Sequence, residues 1–336
     1  MTEGAPVDAT ASYPEVRVGI VSWNTEALLD RCLASLPGAL GTLRAEVVVV
    51  DNASTDKSAE VARSYPGVTV VVRATNAGYA VAMNEALEGS VAPVLLALNP
   101  DTELPVGAVA RLVADLGQHT EAGLVVPALV GGDGRPQRSV YPYPGVVAAL
   151  EVGFVPSGLR RRGAARRRDG HGGDLGRRWA IGAVHCIRAA ALAGEAPYSE
   201  RWFIYGEDIE LCWRLRRAGW QVRELPAVTV VHHGNAAGRQ RWGEGAELEL
   251  RSLPNIYEWL WTERSAALGR ATAAVNVGGL VAKGLALRLA SVVGSGGSGA
   301  RRAQRAAELE RLRRYHGGVL RHGPRYVEAE VPPTGP

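Results

Sequence analysis

Cysteine, phenylalanine and methionine are scarce in this chain: three, two and two among 336 residues. The thiols, Cys32, Cys186 and Cys212, are too few and too scattered for a disulfide framework or a zinc cluster, which suits a reducing compartment. No stretch approaches the roughly 18 consecutive apolar residues of a membrane-crossing helix. The nearest candidate, Ala271 to Val293, is interrupted by Asn276, Lys283 and Arg288. The opening residues MTEGAPVDATASYPE lack the apolar centre of a signal peptide, so the expected location is the cytoplasm. What is present is an ordinary globular mixture, 46% hydrophobic and 21% charged, able to fill a substantial core. The net charge is +4, and the basic excess is concentrated in eight Arg between Arg160 and Arg178. No helix-turn-helix, zinc or stacking-aromatic motif accompanies that run, so nucleic acid is not an expected partner. A solvated loop and attraction to an anionic lipid surface are both open readings of it.

The first 130 residues alternate between short apolar runs and helical patterns. VRVGIVSW (16–23), AEVVVVD (45–51), GVTVVVR (67–73) and APVLLAL (92–98) read as buried strands. Between them lie helical patterns, one carrying Leu28, Leu29, Cys32, Leu33 and Leu36, another being STDKSAEVARSY with Ser54 or Thr55 as its cap. Continuous β-branched strands separated by helices imply a mostly parallel sheet covered on both faces. Ligands of such sheets bind at the carboxyl ends of the strands. The residues there are Trp23-Asn24, Asp51-Asn52, Asn76 and Asn99-Pro100-Asp101. From Gly131 to Arg178 the periodicity fades into Gly, Pro and Arg, as in a long loop or partly ordered insert. A helix over YGEDIELCWRLRRAGW, a strand ending in His232-His233, and a helical stretch beyond Leu248 follow.

Each polar strand end has a functional and a structural reading. Asp51 can accept the imide N–H of uracil or thymine, or form an Asx-turn that caps the next helix. Asn76, Gly78 and Asn84 lie in NAGYAVAMN, where a glycine at a strand-to-helix turn permits close approach to a ligand. Asn84 falls in an otherwise apolar helix and needs partners, which protein backbone can supply as well as ligand. Asp101 in NPDT can bind Mg²⁺, which takes one or two protein carboxylates plus phosphate and water. It can equally close a proline turn and cap the following helix. Glu207, Asp208 and Glu210 crowd the first turn of a helix, where acids commonly cap but can also act as a general base. His232 is a metal ligand only if an acid such as Asp101 lies close.

Taken in order, VSWN, VDNASTD, NAGYAVAMN, LNPDT, WAIGA, FIYGEDIELCWRLRRAGW and VVHH resemble the family 2 glycosyltransferases, most closely their rhamnosyltransferase-like branch. The resemblance runs from about Val16 to Asn235. It implies a GT-A fold: an α/β domain whose mostly parallel sheet is flanked by helices, here with a helical C-terminal extension. The implied organisation is residues 1–14 disordered, 15–245 the transferase domain, and 246–336 the extension. Within the domain, 15–130 would be the nucleotide-binding half, 175–245 the acceptor half and 155–178 an Arg-rich loop. The resemblance further implies inverting transfer from a nucleotide-diphosphate sugar, dTDP- or UDP-linked, with Mg²⁺ or Mn²⁺. Asp51 would read the base, with Val21, Trp23 and Asn24 as one wall of its pocket. Asn76, Gly78, Asn84 and Asn99 would line the donor site. Asp101, helped by His232, would bind metal and diphosphate. Asp208 would deprotonate the acceptor hydroxyl, with Gly182, Ala183 and Glu207 about the sugar or acceptor.

Two departures from the family pattern carry information. Asn99 stands where many members place the first acid of a DxD motif. The Gln-x-x-Arg-Trp motif of processive members is absent, since Gly238 precedes Arg241-Trp242. One sugar per binding event is therefore expected, L-rhamnose from dTDP-rhamnose by resemblance, placed on a glycan or lipid-linked cell-envelope precursor. Peripheral contact with the inner face of the membrane through 155–178 and 271–293 belongs to the same expectation. A catalytically inactive sugar-nucleotide binder and a sugar nucleotidyltransferase are the alternatives. The second lacks its usual Gly-rich N-terminal loop and Lys in VGIVSWNTE.

Overall fold

Strand β1 (Val16–Ser22) is buried along almost its whole length, as VRVGIVS requires when both faces of a sheet are covered. In this computed structural model, residues 14–155, 172–234, 246–293, 299–324 and 326 are described. The polar N-terminus, most of the Arg-rich stretch, the passage from 235 to 245 and the Gly-Ser stretch before residue 299 lie outside them. Parallel to β1 run β2 (Ala45–Asp51) on one side and β4 (Val94–Leu98) on the other, and β3 (Val68–Val72) pairs parallel with β2. The sheet continues past β4 through β11 (Val184–Arg188), β6 (Ala122–Val130), β12 (Gln221–His232) and the short β5 (Thr102–Glu103), in the order β3-β2-β1-β4-β11-β6-β12-β5. β11 is antiparallel to both neighbours, whereas β12 is parallel to β6. The fold is the expected mostly parallel α/β sheet, with an antiparallel strand set into its middle.

Helices cover both faces. α1 (Glu26–Leu40) and α4 (Ala108–Gln118) place Leu29, Leu33, Leu36, Leu112 and Leu116 against one face. α3 (Tyr79–Leu87) and α6 (Glu207–Arg217) place Met83, Leu87, Leu211 and Leu215 against the other. Gly19 lets α3 sit directly on β1, because a Cβ there would stand 2.9 Å from Leu87 Cδ2. Burying a leucine or isoleucine contributes about 1.5–3 kcal/mol each, so these two layers dominate the core. The short helix α2 (Ser58–Arg63) begins later than the sequence suggests. Ser54 and Thr55 do not cap it; Asp56 Oδ1 accepts from Ser58 N–H at 3.0 Å instead.

The region expected as an insert contains structure. β7 (Pro136–Gln137) pairs with β6, and β8 (Val140–Pro142) pairs antiparallel with β10 (Arg178–Ala180). Helix α5 (Val146–Phe154) follows, and β9 (Gly173–Asp174) joins β12. The C-terminal part is helical as expected: α7 (Ala246–Trp259), α8 (Ala266–Val293) and α9 (Gly299–His322). Their core is aromatic, with Trp202, Tyr257, Trp259 and Tyr315 buried together, which explains where the abundant Trp and Tyr are used. Tyr257 Oη lies 2.7 Å from His316 Nδ1, joining α7 to α9.

Candidate active site

β1, β2 and β4 run in one direction, so their carboxyl ends gather at one edge of the sheet. The loops there are sewn together by short polar side chains. Asn24, held at φ 51°, accepts from Thr55 N–H at 2.7 Å through Oδ1, while its own N–H donates to Ser54 Oγ at 3.0 Å. Asp56 Oδ2 accepts from Glu26 N–H at 3.0 Å. Asn52 Nδ2 donates to Asn76 Oδ1 at 2.9 Å and to Gly78 O at 3.1 Å, and its Oδ1 accepts from Ala77 N–H at 3.0 Å. The sequence does not single out Asn52. A polar residue directly after Asp51 is visible there, but its partners lie about 25 positions away.

Asp51 ends β2 and is buried. Its two oxygens divide the two readings offered by the sequence. Oδ2 accepts from Ser54 N–H at 3.1 Å and so makes the Asx-turn, whereas the buried Oδ1 has no hydrogen-bond partner among the described residues. An unsatisfied buried carboxylate oxygen costs free energy that a ligand N–H would recover. Val21, near the end of β1, is buried, and Trp23 and Asn24 just beyond it are half-buried.

Asn76 is held by Asn52 and in turn accepts from Gly78 N–H at 3.0 Å. Gly78 has φ 90°, and a Cβ there would stand 2.3 Å from the Phe203 carbonyl oxygen. The glycine is therefore demanded by the segment before α6, to which Tyr79 N–H also donates at 2.8 Å, rather than by ligand approach. Asn84 is likewise spent on the protein. Its Nδ2 donates to Tyr198 O at 2.8 Å and Glu200 Oε1 at 3.0 Å, and its Oδ1 accepts from Tyr198 N–H at 3.0 Å. It clamps α3 to a loop more than a hundred residues later.

Asp101 and His232 meet, from the β4–β5 turn and the end of β12. His232 Nε2 lies 3.3 Å from Asp101 Oδ1, and both residues are buried. Asp101 does not cap α4, whose N-terminal flank is Gly107. His232 Nδ1 is 3.0 Å from Gln137 Oε1. Nε2 makes no hydrogen bond. A ring nitrogen and a carboxylate oxygen at this distance form an ion pair when the imidazole is protonated, and as ligand types they also fit a divalent metal. No third His, Cys, Asp or Glu joins them among the described residues, so a metal here would need oxygens from substrate and water. His233 is engaged elsewhere, 2.6 Å from Glu103 Oε1. Asn99 N–H donates to Ala183 O at 3.0 Å, fixing the turn to β11.

Asp208 stands in the first turn of α6. Oδ1 accepts from Ile209 N–H at 2.8 Å and Oδ2 from Gly182 N–H at 3.3 Å. A Cβ on Gly182 would meet Asp208 Cβ at 3.7 Å and His185 and Tyr79 at 3.9 Å, all ordinary contacts, so protein packing does not demand the glycine. Burial pushes the Asp208 carboxyl up to about 6, with the two N–H donors opposing. Its neighbour Glu207 is pushed further, to about 8, by burial and then by the Asp208 charge, and Glu207 Oε2 has no hydrogen-bond partner. At neutral pH Glu207 keeps its proton and Asp208 is the anion of the pair.

One residue that the sequence does not point to ties both halves together. The Tyr79 hydroxyl donates to Gly182 O at 3.4 Å, and its ionisation is pushed far above the usual phenol range, first by burial and then by the charges of Glu207, Asp208 and Asp101. The charges of Asp101 and of the Glu207–Asp208 pair therefore act on one half-buried phenol. Beneath it Tyr198 donates to His185 Nδ1 at 3.0 Å, since His185 Nε2 faces the Ala180 carbonyl, and burial lowers His185 to about 4. The GY pair of NAGYAV is the available signal for Tyr79.

The sequence profile described as Glycosyl transferase family 2 matches residues 17–171. A Mycobacterium tuberculosis protein named N-acetylglucosaminyl-diphospho-decaprenol L-rhamnosyltransferase is 28% identical over 236 residues, covering 65% of this chain and 76% of the relative. An uncharacterized glycosyltransferase of Mycobacterium bovis is 30% identical over 210 residues, covering 62% of this chain and 83% of the relative. Among solved structures, a mannosyltransferase of Pyrobaculum calidifontis in complex with GDP-Man and Mn²⁺ superposes with a TM-score of 0.53. It is 18% identical, and the match covers 93% of this chain and 88% of that one.

Proposed function

We propose, for a chain that belongs to the family 2 glycosyltransferases and its rhamnosyltransferase-like branch, that it moves one L-rhamnose from dTDP-rhamnose to a hydroxyl of a lipid-linked cell-envelope precursor, inverting the anomeric centre. The observation that carries the reading is the pair of sites around Tyr79: Asp208, held by the Ile209 and Gly182 N–H groups, on one side and the facing Asp101 and His232 on the other. Inverting transfer needs one base and one cationic or hydrogen-bonding site for the leaving diphosphate.

In this reading Asp51 Oδ1 accepts the N3–H of thymine, which sits against Val21, Trp23 and Asn24. Cytosine lacks that donor, so the same oxygen rejects it. Asn76 and Asn99 line the path of the ribose and diphosphate. Asp208 Oδ2 takes the proton of the acceptor hydroxyl as that oxygen bonds to the anomeric carbon. The bond from that carbon to the diphosphate oxygen breaks on the opposite side, hence inversion. Protonated Glu207 adds no second negative charge, which keeps Asp208 the anionic base of the pair. Gly182 puts no side chain beside the carboxylate, whereas Ala183 is buried in the core and does not face the sugar. Asp101 and His232 would hold a divalent metal, Mg²⁺ or Mn²⁺, which supplies positive charge to the departing diphosphate.

The name of the mycobacterial relative, an acceptor with a diphospho-decaprenol carrier, supports a lipid-linked acceptor. Among the described residues no helix is long and apolar enough to cross a membrane. The reading is therefore a protein working from the cytoplasmic side, in peripheral contact with the membrane that carries its acceptor. A panel of dTDP-, UDP- and GDP-sugars, screened by thermal shift with Mg²⁺ or Mn²⁺ and followed by NMR of the product linkage, tests it. The result expected is preferential stabilisation by dTDP-rhamnose and an inverted product. Preference for a guanosine nucleotide, or retention of configuration, would overturn the donor and the stereochemistry respectively.

A further inference from the structure

Most of the large apolar side chains left exposed are gathered on two packed helices. Of ten exposed among the described residues, seven lie on α5, its C-terminal flank, or α8. On α5, Val147, Leu150 and Phe154 are 77%, 45% and 53% exposed. Their spacing of three and four puts them on one face, opposite Ala149 and Gly153. Ala149 and Gly153 make the packed contact, although Val152 on that side is itself 43% exposed. Ala149 is buried, and a Cβ on Gly279 of α8 would stand 2.6 Å from Gly153 Cα, so the two backbones nearly touch. On α8, Val281 and Leu285 are 43% and 55% exposed, again one turn apart. Phe154 connects the two stripes, because its ring tip is 3.7 Å from where a Cβ on Gly278 would be. A contiguous stripe of this kind is unusual on a solvated surface and marks a docking face.

Its charged border mixes both signs, with Glu151 one turn from Val147 on α5, Arg288 exposed on α8 and Lys283 donating to Val152 O at 2.8 Å at the helix crossing; the basic excess lies in the cavity beside it. Beside the N-terminal end of α5 opens a cavity of about 1600 Å³, into which Val147 also faces. Its walls carry Arg138, Arg177, Arg178, Arg216 and Arg264, against the acids Glu151 and Glu224. Arg264 lies over the Trp213 ring at 4.6 Å and Arg138 over Tyr141 at 4.5 Å. Tyr141, on the cavity wall, is near enough to Asp208 for that charge to raise its ionisation, after burial and against Arg138.

We infer that the α5–α8 stripe, Val147, Leu150, Phe154, Val281 and Leu285, seats this protein on an anionic lipid bilayer, with the Arg-lined cavity opening at that surface. Apolar side chains enter the headgroup boundary while the bordering Arg and Lys meet lipid phosphates. A protein partner would need an apolar face of its own; a bilayer matches both the greasy stripe and the basic cavity beside it. The docking stands on the surface alone. Only the use of that seat rests on the transferase reading, in which a lipid-carried acceptor is met without leaving the membrane.

The test is co-sedimentation of the full chain with phosphatidylcholine vesicles and with vesicles containing about one-third phosphatidylglycerol. Wild type, the α5 variant Val147→Asp/Leu150→Asp and the α8 variant Val281→Asp/Leu285→Asp are compared. Wild type should bind the anionic vesicles, weakly the neutral ones, and less as salt rises. Each variant should bind roughly tenfold or more weakly while melting at the wild-type temperature, since two buried aliphatic side chains are lost from the interface. If one variant fails to fold, the other decides. Wild type staying in the supernatant, or variants that bind as tightly as wild type, would overturn the inference. So would a dimer that the variants dissociate without changing vesicle binding, because a second copy would then be the occupant. Sugar transfer to a water-soluble acceptor is measured alongside. Its absence with intact vesicle binding would count against the proposed function only.

Discussion

Buried Glu207 and half-buried Asp208 set up a dependence of stability on pH whose sign is fixed by the direction in which each carboxyl is moved. Both are raised in the folded state, so the folded protein holds protons that the unfolded chain would release. Stability from these groups is complete below the unfolded values and falls as pH rises through the folded ones. Asp208 acts between its ordinary value of 3.8 and about 6, and Glu207 between 4.5 and about 8. Glu207 is only 6% exposed and its Oε2 has no hydrogen-bond partner, so solvent screens it little. Each pH unit between the unfolded and folded values is worth about 1.36 kcal/mol, so ionising Glu207 costs up to about 5 kcal/mol above pH 8. Glu207→Gln is nearly isosteric and cannot ionise. Urea denaturation of wild type and variant at pH 5.5, 7 and 9 reads the difference. The stability gap should move in favour of the variant as pH rises, by several kcal/mol between pH 5.5 and 9. Parallel curves for the two proteins would refute the claim that Glu207 is a buried acid held neutral. A gap that opens in the other direction would mean that a cation or donor already compensates the charge.

Other consequences follow from the same site. Asp51→Ala should weaken dTDP or UDP binding by roughly 10- to 100-fold, the value of a hydrogen bond to a charged acceptor, while cytidine nucleotides change little; isothermal titration calorimetry reads both. Asp101→Ala or His232→Ala should abolish Mn²⁺-dependent thermal stabilisation and activity. Asn99→Ala should only weaken them, and equal losses from all three would undo that division of roles. Gly78→Ala forces a Cβ against the Phe203 carbonyl at a positive φ, so thermal denaturation should show a loss of at least about 2 kcal/mol.

The layered sheet is legible in the sequence because its signals are local. VRVGIVSW, AEVVVVD and APVLLAL are continuous apolar runs, and the helical spacing of Leu29, Leu33 and Leu36 is intact. The strand-end rule also puts Asp51, Asn76 and Asp101 at one edge from the sequence alone. Cap chemistry is less legible: Ser54 and Thr55 look like caps, but the loop bends far enough to bring Asp56 to Ser58 and Ser54 to Asn24. Asn84 and Gly78 look like ligand contacts because a helix-buried amide and a turn glycine carry no address. Their partners, Tyr198 and Phe203, lie more than a hundred residues away, and nothing in the chain announces such a contact. Tyr79 escapes for the same reason, since its importance comes from three acids that only folding assembles. The strands and helix between Gly131 and Arg178 are hidden because their elements are short and two of the pairings, β8 with β10 and β9 with β12, join segments far apart in sequence.

The central claim is that Asp208 is the base of a sugar transfer. Asp208→Asn keeps the shape and the Gly182 side of the contact but cannot take a proton. Sugar transfer from dTDP-rhamnose and UDP-sugars is measured for wild type and variant, with nucleotide binding of each checked by calorimetry. The variant should bind nucleotide as wild type does and transfer about 10²- to 10⁴-fold more slowly. A variant that binds nucleotide and transfers at the wild-type rate would contradict the account.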